Sequence, residues 1–239
     1  MAGTASAQTA QTYTANLQPV PLNGQTNATG TLTLSLNGNL ATIHEQVSGL
    51  AATFMGQPFP HVQHIHGGAM GQCPTASDDP DHDGVIDTTD AQPEYGPIQT
   101  TLSEPPGGTT AADGTNIKIA PSGSSFTYDR TITLDQATMN SINSNVAVIV
   151  VHGLDPATAP KAATTQQSEI PGTSSLPMAA TAPALCGVLE AMPGGAAQTG
   201  AGGTSGTQDA ALFGIGGALL LGAGGAAVAL RRRPARVSS

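Results

Sequence analysis

The sequence predicts an all-β sandwich, and three observations support this prediction. Short segments of alternating apolar and polar residues recur along the chain, with the period of two that a half-buried strand requires. Turn residues separate these segments, and Asn37-Gly38 is the strongest hairpin signal among them. Aromatic residues make up 3% of the 239 residues and tryptophan is absent, so the chain can supply one sandwich core of Val, Ile and Leu but hardly two.

The predicted strands follow one another along the chain. We expect strands at 12–17, 31–36, 40–47, 61–66, 98–102, 116–120, 125–134, 145–152 and 184–189. Residues 145–152 are apolar at almost every position, so this strand should be central and covered on both faces. One or two helical turns are expected at 135–142, with Asp135 as the N-cap. A long acidic loop is expected at 67–97, and a Pro-, Ala- and Thr-rich excursion at 155–180.

The composition also divides the chain into regions. Residues 1–11 are expected to be the disordered remnant of a signal-peptide cleavage region, because Ala5-Ser6-Ala7 has the small-x-small pattern of such a site. The sandwich is expected to occupy 12–192. A spacer rich in Gly, Ala, Thr and Ser is expected to follow at 193–209.

An uncharged apolar run predicts one C-terminal transmembrane helix at 210–230. The run has the ~20-residue length that crosses a bilayer. Three consecutive arginines begin the basic tail 231–239, and the positive-inside rule places this tail in the cytoplasm. We therefore expect a single-pass protein of the cell membrane with an extracellular body. The alternative is a buried Gly/Ala helix, which a small core could not cover.

The charge distribution argues against nucleic-acid binding. Four of the seven basic residues lie within the last nine positions, which leaves three against sixteen acidic residues, or about −13, in the body. Phosphate contacts require a basic face, which this body lacks. The sequence indicates no particular protein partner.

The two cysteines of the chain, Cys73 and Cys186, fit an oxidising compartment. They allow one internal bridge, which would close a loop of more than a hundred residues.

Three of the six histidines lie within six residues, at His61, His64 and His66. Side chains alternate along an extended strand, so His64 and His66 share one face, about 7 Å apart, and His61 points to the other. A His-x-His pair on one face chelates copper, zinc or iron well. The alternative is a surface strand that is merely rich in histidine.

An acidic segment at 79–90 matches the twelve-position calcium loop. Carboxylates stand at positions 1, 3, 5, 9 and 12, a glycine stands at position 6, and the residue at position 7 offers its carbonyl. The expected calcium ligands are Asp79, Asp81, Asp83, Val85, Asp87 and Asp90. The last of these replaces the usual glutamate, and no amphipathic helices are predicted beside the loop. The alternative is a solvated acidic loop.

Three motifs together resemble the copper/zinc superoxide dismutase fold family. They are the segment from Val47 through the histidine strand to Gly67, the segment Val150-Val151-His152-Gly153, and the segment Leu185-Cys186-Gly187-Val188. The likeness spans roughly residues 12–190, in the family's order. It extends to the CHRD domain, a related extracellular module with a comparable His-x-His-Gly motif. The resemblance implies a Greek-key immunoglobulin-like β-sandwich.

The resemblance also implies roles for individual residues. His64, His66 and His152 would be copper ligands, His61 would be a buried structural histidine, and Cys73 would be bridged to Cys186. Two positions depart from the family's pattern. Asp79 stands in place of the metal-bridging histidine, so no zinc is expected, and Pro183 stands in place of the arginine that guides superoxide.

Two functions are compatible with these residues. The first is a copper enzyme that dismutates superoxide at the cell surface, since three imidazoles leave a coordination position open. The second is a non-catalytic CHRD-like structural or interaction module stabilised by calcium and a disulfide. Metal binding without fast dismutation is favoured, because a body near −13 repels an anionic substrate.

Overall fold

The computed structural model describes residues 10–193, and every structural statement below refers to that range. It contains eleven strands and three short helices. The strands are β1 (Gln11–Pro19), β2 (Thr29–Asn37), β3 (Leu40–Ser48), β4 (Thr53–Phe54), β5 (Gln57–Pro58), β6 (Gln63–His66), β7 (Ile98–Thr101), β8 (Ser125–Thr133), β9 (Val148–His152), β10 (Pro183–Val188) and β11 (Glu190–Ala191). The helices are α1 (Thr88–Tyr95), α2 (Gln136–Asn143) and α3 (Lys161–Thr165).

Most strands form one curled antiparallel sheet in the order β7-β6-β9-β10-β1-β2-β3-β8, while β11 pairs with β1. The strands β4 and β5 form a separate hairpin. The long strand β1 joins the two halves of the sheet: residues 11–17 pair with β2, and the last two residues pair with β10. The described region is therefore all-β, as the alternating segments predict.

One main core lies between the two halves of the sheet. Leu34 of β2 and Ile43 of β3 belong to the same apolar cluster as Ile65 of β6 and Ile149 of β9. Strand β3 alternates strictly between buried and exposed residues, so one of its faces packs on this core and the other meets solvent. Burial of this apolar surface, at roughly 25 cal/mol per Å², is the main term that stabilises the arrangement.

Strand β9 is covered on both faces, as predicted for 145–152, and all five of its residues are buried. Ile149 and Val151 contribute to the main core. Val148 and Val150 point the other way, into a second cluster that also contains Tyr95 of α1. The segment between β6 and β7 therefore covers the outer face of β6 and β9, and this second layer encloses the histidines.

The predicted disulfide is confirmed, and it attaches this covering segment to the sheet. Cys73 is bonded to Cys186 of β10, with 5.8 Å between their Cα atoms. The half-cystine Cys186 lies in the second cluster, and Cys73 packs against that cluster.

The strand predicted at 116–120 was wrong. Ile117–Ile119 forms a turn of 3-10 helix, and the Asn116 side chain accepts a hydrogen bond from the Lys118 N–H. An Asn that bonds its own backbone two residues on favours a turn over a strand ladder. The helix predicted at 135–142 is present, and Asp135 caps it by accepting from the Thr138 N–H at 2.8 Å.

The segment predicted as a continuous acidic loop contains α1, and the 155–180 excursion contains α3. Asp87 is the N-cap of α1: its carboxylate accepts from the N–H groups of Thr89 and Asp90. In return the Asp90 carboxylate accepts from the Asp87 N–H at 3.1 Å. This reciprocal capping box starts a helix despite Pro93 within it.

The predictions for the two chain ends lie largely outside the described residues. They concern the signal-cleavage remnant, the spacer, the transmembrane helix and the basic tail. No helix within residues 10–193 is long and apolar enough to cross a membrane.

Candidate metal centre

Three buried histidines converge on the outer face of β6 and β9. The strands are antiparallel neighbours, with His64 directly opposite Val150, so His152 lies two residues further along β9 on the same face as His64 and His66. Each of the three rings offers one nitrogen, and these nitrogens lie within 4.8 Å of one another. The sheet register thus joins the predicted His-x-His pair to a third imidazole that is distant in sequence.

Each ring of this triad is oriented by a backbone carbonyl. The hydrogen bonds run from His64 Nε2 to Gly114 O (2.9 Å), from His66 Nδ1 to Gly96 O (2.8 Å), and from His152 Nδ1 to Thr181 O (2.7 Å). A carbonyl oxygen only accepts, so these nitrogens carry the hydrogen and the other nitrogen of each neutral ring presents a lone pair.

The remaining nitrogen of each ring is buried and has no hydrogen-bond partner. These atoms are Nδ1 of His64, Nε2 of His66 and Nε2 of His152. Three buried polar atoms left unpaired together are costly unless something else binds them. In metal-bound histidines, one ring nitrogen donates a hydrogen bond to the protein and the other binds the metal. The triad has the first of these bonds on every ring and leaves the second nitrogen available.

Burial keeps all three rings neutral at pH 7. Desolvation is the largest cause in each case and lowers the pKa of His66 to about 3 and of His152 to about 4. The pKa of His64 is also far below its ordinary value, through burial and then through the charges that His152 and His66 would carry. Neutral imidazole is the form that binds a metal, so the site is ready for one without losing protons.

His61 lies apart from the triad and is fully buried. Its Nδ1 is 2.9 Å from the carbonyl oxygen of His152, and its Nε2 is 2.9 Å from that of Ala51. Both ring nitrogens therefore face protein acceptors, and neither is available to a metal. The structural role expected for His61 stays a prediction.

A cleft of about 660 Å³ opens beside the triad, and all three histidines line it. Its walls come from three separate segments: the β4–β5 hairpin with Phe54, the 3-10 turn with Ile117, and the segment after α3 with Leu176. No Lys or Arg is among its described lining residues, and Glu169 is the one Asp or Glu there. Local sequence patterns did not reveal this cleft, because loops distant in sequence form it.

Three carboxylates of the acidic segment come together as a second group. Asp79, Asp81 and Asp83 each offer an oxygen within 4.8 Å of the others. The Gly84 N–H donates to Asp79 Oδ2 at 3.1 Å, and the Val85 N–H donates to Asp83 Oδ1 at 2.8 Å. Asp79 Oδ1 and Asp83 Oδ2 remain buried without a partner. The chemistry that satisfies two such oxygens among clustered negative charges is a cation.

The other predicted calcium ligands have different surroundings. Asp87 and Asp90 form the capping box of α1, and Val85 is fully buried. Burial raises the pKa of Asp90 to about 6, and the neighbouring charges of Asp87, Asp81 and Asp79 add to this rise. Asp90 therefore interacts electrostatically with two of the three clustered carboxylates, Asp79 and Asp81. A calcium role for Val85, Asp87 and Asp90 stays a prediction.

A buried polar group in the main core was missed by the sequence analysis. Glu45 of β3 is fully buried, and neither oxygen of its carboxyl has a hydrogen-bond partner. Burial raises its pKa to about 8, although the nearby Gln63 amide acts in the opposite direction. The Gln63 amide and the Tyr128 hydroxyl are likewise buried and unpaired. The sequence does contain a signal for it: Glu45 occupies a position of β3 that the alternation assigns to the buried, apolar face.

Comparison with known proteins adds no family assignment. No protein-family model matches the chain, and no curated protein matches it.

Proposed function

We propose that this protein is a copper-binding β-sandwich module in which His64, His66 and His152 hold the ion. Two observations carry the proposal together: each of the three buried rings is fixed by a carbonyl through one nitrogen and leaves the other without a partner, and each ring offers a nitrogen within 4.8 Å of those of the other two. Such a set provides the ligands and the orienting hydrogen bonds of a metal site.

Copper is proposed over other metals because all three protein ligands are imidazole nitrogens. Imidazole suits copper, zinc, iron and nickel, and among divalent first-row metals the affinity of a nitrogen site is greatest for Cu²⁺. Three histidines beside an open cleft do not match the closed, four-ligand set of a structural zinc site, so the choice of copper over a three-histidine zinc site rests on the order of affinities. Copper bound at this site would supply one-electron redox chemistry.

We further propose that the fold is a Greek-key immunoglobulin-like sandwich of the superoxide dismutase and CHRD kind. The histidine strand of the first motif is β6, and the other two motifs lie mainly on β9 and β10; these three strands are adjacent in the sheet. The disulfide from Cys73 to Cys186 then attaches the segment after β6 to β10. These relationships support the resemblance beyond the motifs themselves.

Copper binding is the proposed function, and superoxide dismutation is the activity that the resemblance suggests for it. The features of this chain do not favour fast dismutation. The cleft beside the triad has no described Lys or Arg in its lining, and the acidic body repels an anion before it arrives.

A second candidate function, a calcium-stabilised extracellular module, is favoured by Asp79. This side chain is 8% exposed, and its Oδ1 has no partner among the clustered carboxylates. The two functions are compatible, because the acidic group and the histidine triad share no residue.

We also propose that the domain faces outward from a cell membrane, anchored by 210–230. The apolar run, the arginines after it and the disulfide support this location. Membrane fractionation tests it. The full chain should sediment with membranes after a carbonate wash, and a chain ending at residue 209 should stay in the supernatant.

Metal analysis and electron paramagnetic resonance test the copper site. The protein, loaded with Cu²⁺ and desalted, should retain one copper per chain, with nitrogen hyperfine structure in its spectrum. His64→Ala should lose the ion. His44→Ala should keep it, because His44 lies on the solvent-exposed face of β3, where it contacts Asp129 of the neighbouring strand β8. Retention of less than a tenth of an equivalent by the wild type would rule out the proposal.

A further inference from the structure

We propose that the cleft beside the triad takes a neutral organic molecule, with an apolar body of aromatic size and one nitrogen or oxygen donor that reaches the bound metal. This inference rests on the copper site proposed above and adds the class of ligand which that site accepts. It differs from the small-anion chemistry that the resemblance suggests.

The charge of the protein body disfavours the approach of an anion to the cleft. The one Asp or Glu in the described lining is Glu169, which is an exposed residue. Lys118 follows the lining residue Ile117 in the chain, but Lys118 is not itself part of the lining. The body near −13 repels negative charge at long range. Bound copper would add positive charge at the triad, so the size and walls of the cleft decide between an anion and a neutral donor there.

The size and walls of the cleft suit an apolar body. Its volume of about 660 Å³ lies within the roughly 300–1,000 Å³ typical of small-molecule sites. Its apolar lining residues include Phe54 and Phe59, whose rings stack on each other, and also Ile98 and Leu176. An aromatic ring in this space would exchange contact with water for contact with these side chains.

The rim of the cleft leaves apolar surface in water. Met55 at the tip of the β4–β5 hairpin is 87% exposed, and Ile117 is 51% exposed. Both line the cleft. Large apolar side chains at the mouth of a concave site are typical of ligand-binding surfaces.

The floor of the cleft offers few but convergent polar groups. The three triad histidines line it, each with one buried nitrogen that has no partner, and three imidazoles leave room for a further donor on the ion. A ligand with one donor atom and an apolar remainder therefore matches both the metal and the walls. Small-molecule sites characteristically combine apolar walls with a few placed polar groups.

A pair of probes that differ only in apolar size tests the inference. Imidazole and 4-phenylimidazole are both nitrogen donors and are neutral at pH 8, and azide serves as the anionic probe. Each is titrated into the copper-loaded protein, with binding followed by the change in the copper absorption and paramagnetic resonance spectra. We expect 4-phenylimidazole to bind about tenfold more tightly than imidazole or better, because its phenyl ring enters the apolar cleft.

Substitution of a rim residue tests whether the cleft is the cause of the preference for 4-phenylimidazole. Ile117→Asp should remove most of the preference for 4-phenylimidazole while copper stays bound, since this side chain lies outside the triad. Leu40→Asp is the matched control: it makes the same change at an exposed residue of β3 that does not line the cleft. Glu169→Lys should increase the affinity for azide.

The outcomes separate this inference from the copper proposal. Failure of the wild type to retain copper would overturn both. Retention of copper with equal affinity for the two imidazoles, or with tighter binding of azide than of 4-phenylimidazole, would overturn the inference alone. A preference for 4-phenylimidazole that Ile117→Asp leaves intact would place the apolar contact outside the cleft and would also overturn it.

Discussion

The ring of His61 lies against the backbone of His152: its Nδ1 is 2.9 Å from the His152 carbonyl oxygen, and its Nε2 is 2.9 Å from that of Ala51. A neutral imidazole carries one N–H, so it donates to one of these oxygens. The contact joins the chain before β6 to the end of β9, where a triad residue lies. Gly153 permits this close approach, since a Cβ there would come within 2.9 Å of His61 Nδ1.

Substitution of His61 should therefore weaken the fold and the metal site together. His61→Ala leaves a cavity and two buried carbonyls with fewer partners, so we expect it to lower the free energy of unfolding by about 2 to 4 kcal/mol. We expect the affinity for copper to fall by about tenfold, as for other residues that orient a ligand. Urea unfolding of the metal-free protein and competition with a chelator measure the two effects.

The spectrum distinguishes His61 from a ligand. The copper that His61→Ala retains should show the same nitrogen hyperfine pattern as the wild type. Loss of a nitrogen coupling in this variant would show that His61 is a ligand and would contradict the role given to it here.

Removal of His152 should affect the copper much more than the fold. His152→Ala deletes one of three ligands, so we expect the copper affinity to fall by about a hundredfold or more, beyond the effect of losing an orienting residue. The retained copper should lose one nitrogen coupling. His44→Ala is the matched control, because it removes an imidazole that is exposed on β3. Unchanged copper affinity in His152→Ala would exclude the triad as the site.

The buried carboxyl of Glu45 should make stability depend on pH. Its pKa in the folded protein is about 8, above its ordinary value of 4.5, so between these values the folded state binds a proton that the unfolded chain has lost. This group's contribution to the free energy of unfolding is therefore greatest at or below pH 4.5 and declines as pH rises to 8. The slope is about 1.4 kcal/mol per pH unit.

Glu45→Gln should remove that slope and keep the shape of the side chain. The variant should match the wild type near pH 4.5 and exceed it by several kcal/mol near pH 7.5, on the order of the slope multiplied by the pH interval. Urea unfolding across this range measures the difference. Glu190→Gln is the control, because Glu190 is exposed on β11. A constant difference between Glu45→Gln and the wild type would mean that Glu45 ionises equally easily in both states.

The sheet was predictable from local pattern, because a half-buried strand leaves a period of two in its residues. Strand β3 shows this well, and Asn37-Gly38 marks the turn before it. Helix α1 was harder to predict from the sequence. Asp87 and Asp90 form its capping box, but Pro93 inside the helix lacks an N–H and argues against one. The sequence predicts the same two aspartates as calcium ligands, since a capping box and a calcium loop both need closely spaced carboxylates.

The candidate site was only partly predictable. The alternation of side chains along a strand is sufficient to place His64 and His66 on the same face of β6. The approach of His152 depends on the register between β6 and β9, which local pattern does not contain and which only the resemblance suggested. The orienting carbonyls, such as that of Gly114, are backbone groups on loops and leave no residue-type signal. The cleft is hidden for the same reason.

Calcium should stabilise the protein through the clustered carboxylates Asp79, Asp81 and Asp83. For an affinity of ~10⁻⁴ to 10⁻³ M, about 10 mM calcium adds roughly 1 to 3 kcal/mol to the free energy of unfolding. In a domain of this size that raises the Tm by about 3 to 10 °C. Differential scanning calorimetry with and without calcium measures the shift. Magnesium should have less effect, because it gives up its bound water reluctantly.

Asp83→Asn tests which oxygens are responsible. The amide oxygen can still accept from the Val85 N–H, as Asp83 Oδ1 does at 2.8 Å, but the second, buried oxygen without a partner is replaced. We expect the variant to lose the calcium-induced rise in Tm. In calcium-free buffer it should be at least as stable as the wild type, because one of three clustered negative charges is gone. Asp129→Asn on β8 makes the same charge change at an exposed site and should keep the full response. An equal calcium shift in Asp83→Asn and the wild type would place the ion elsewhere.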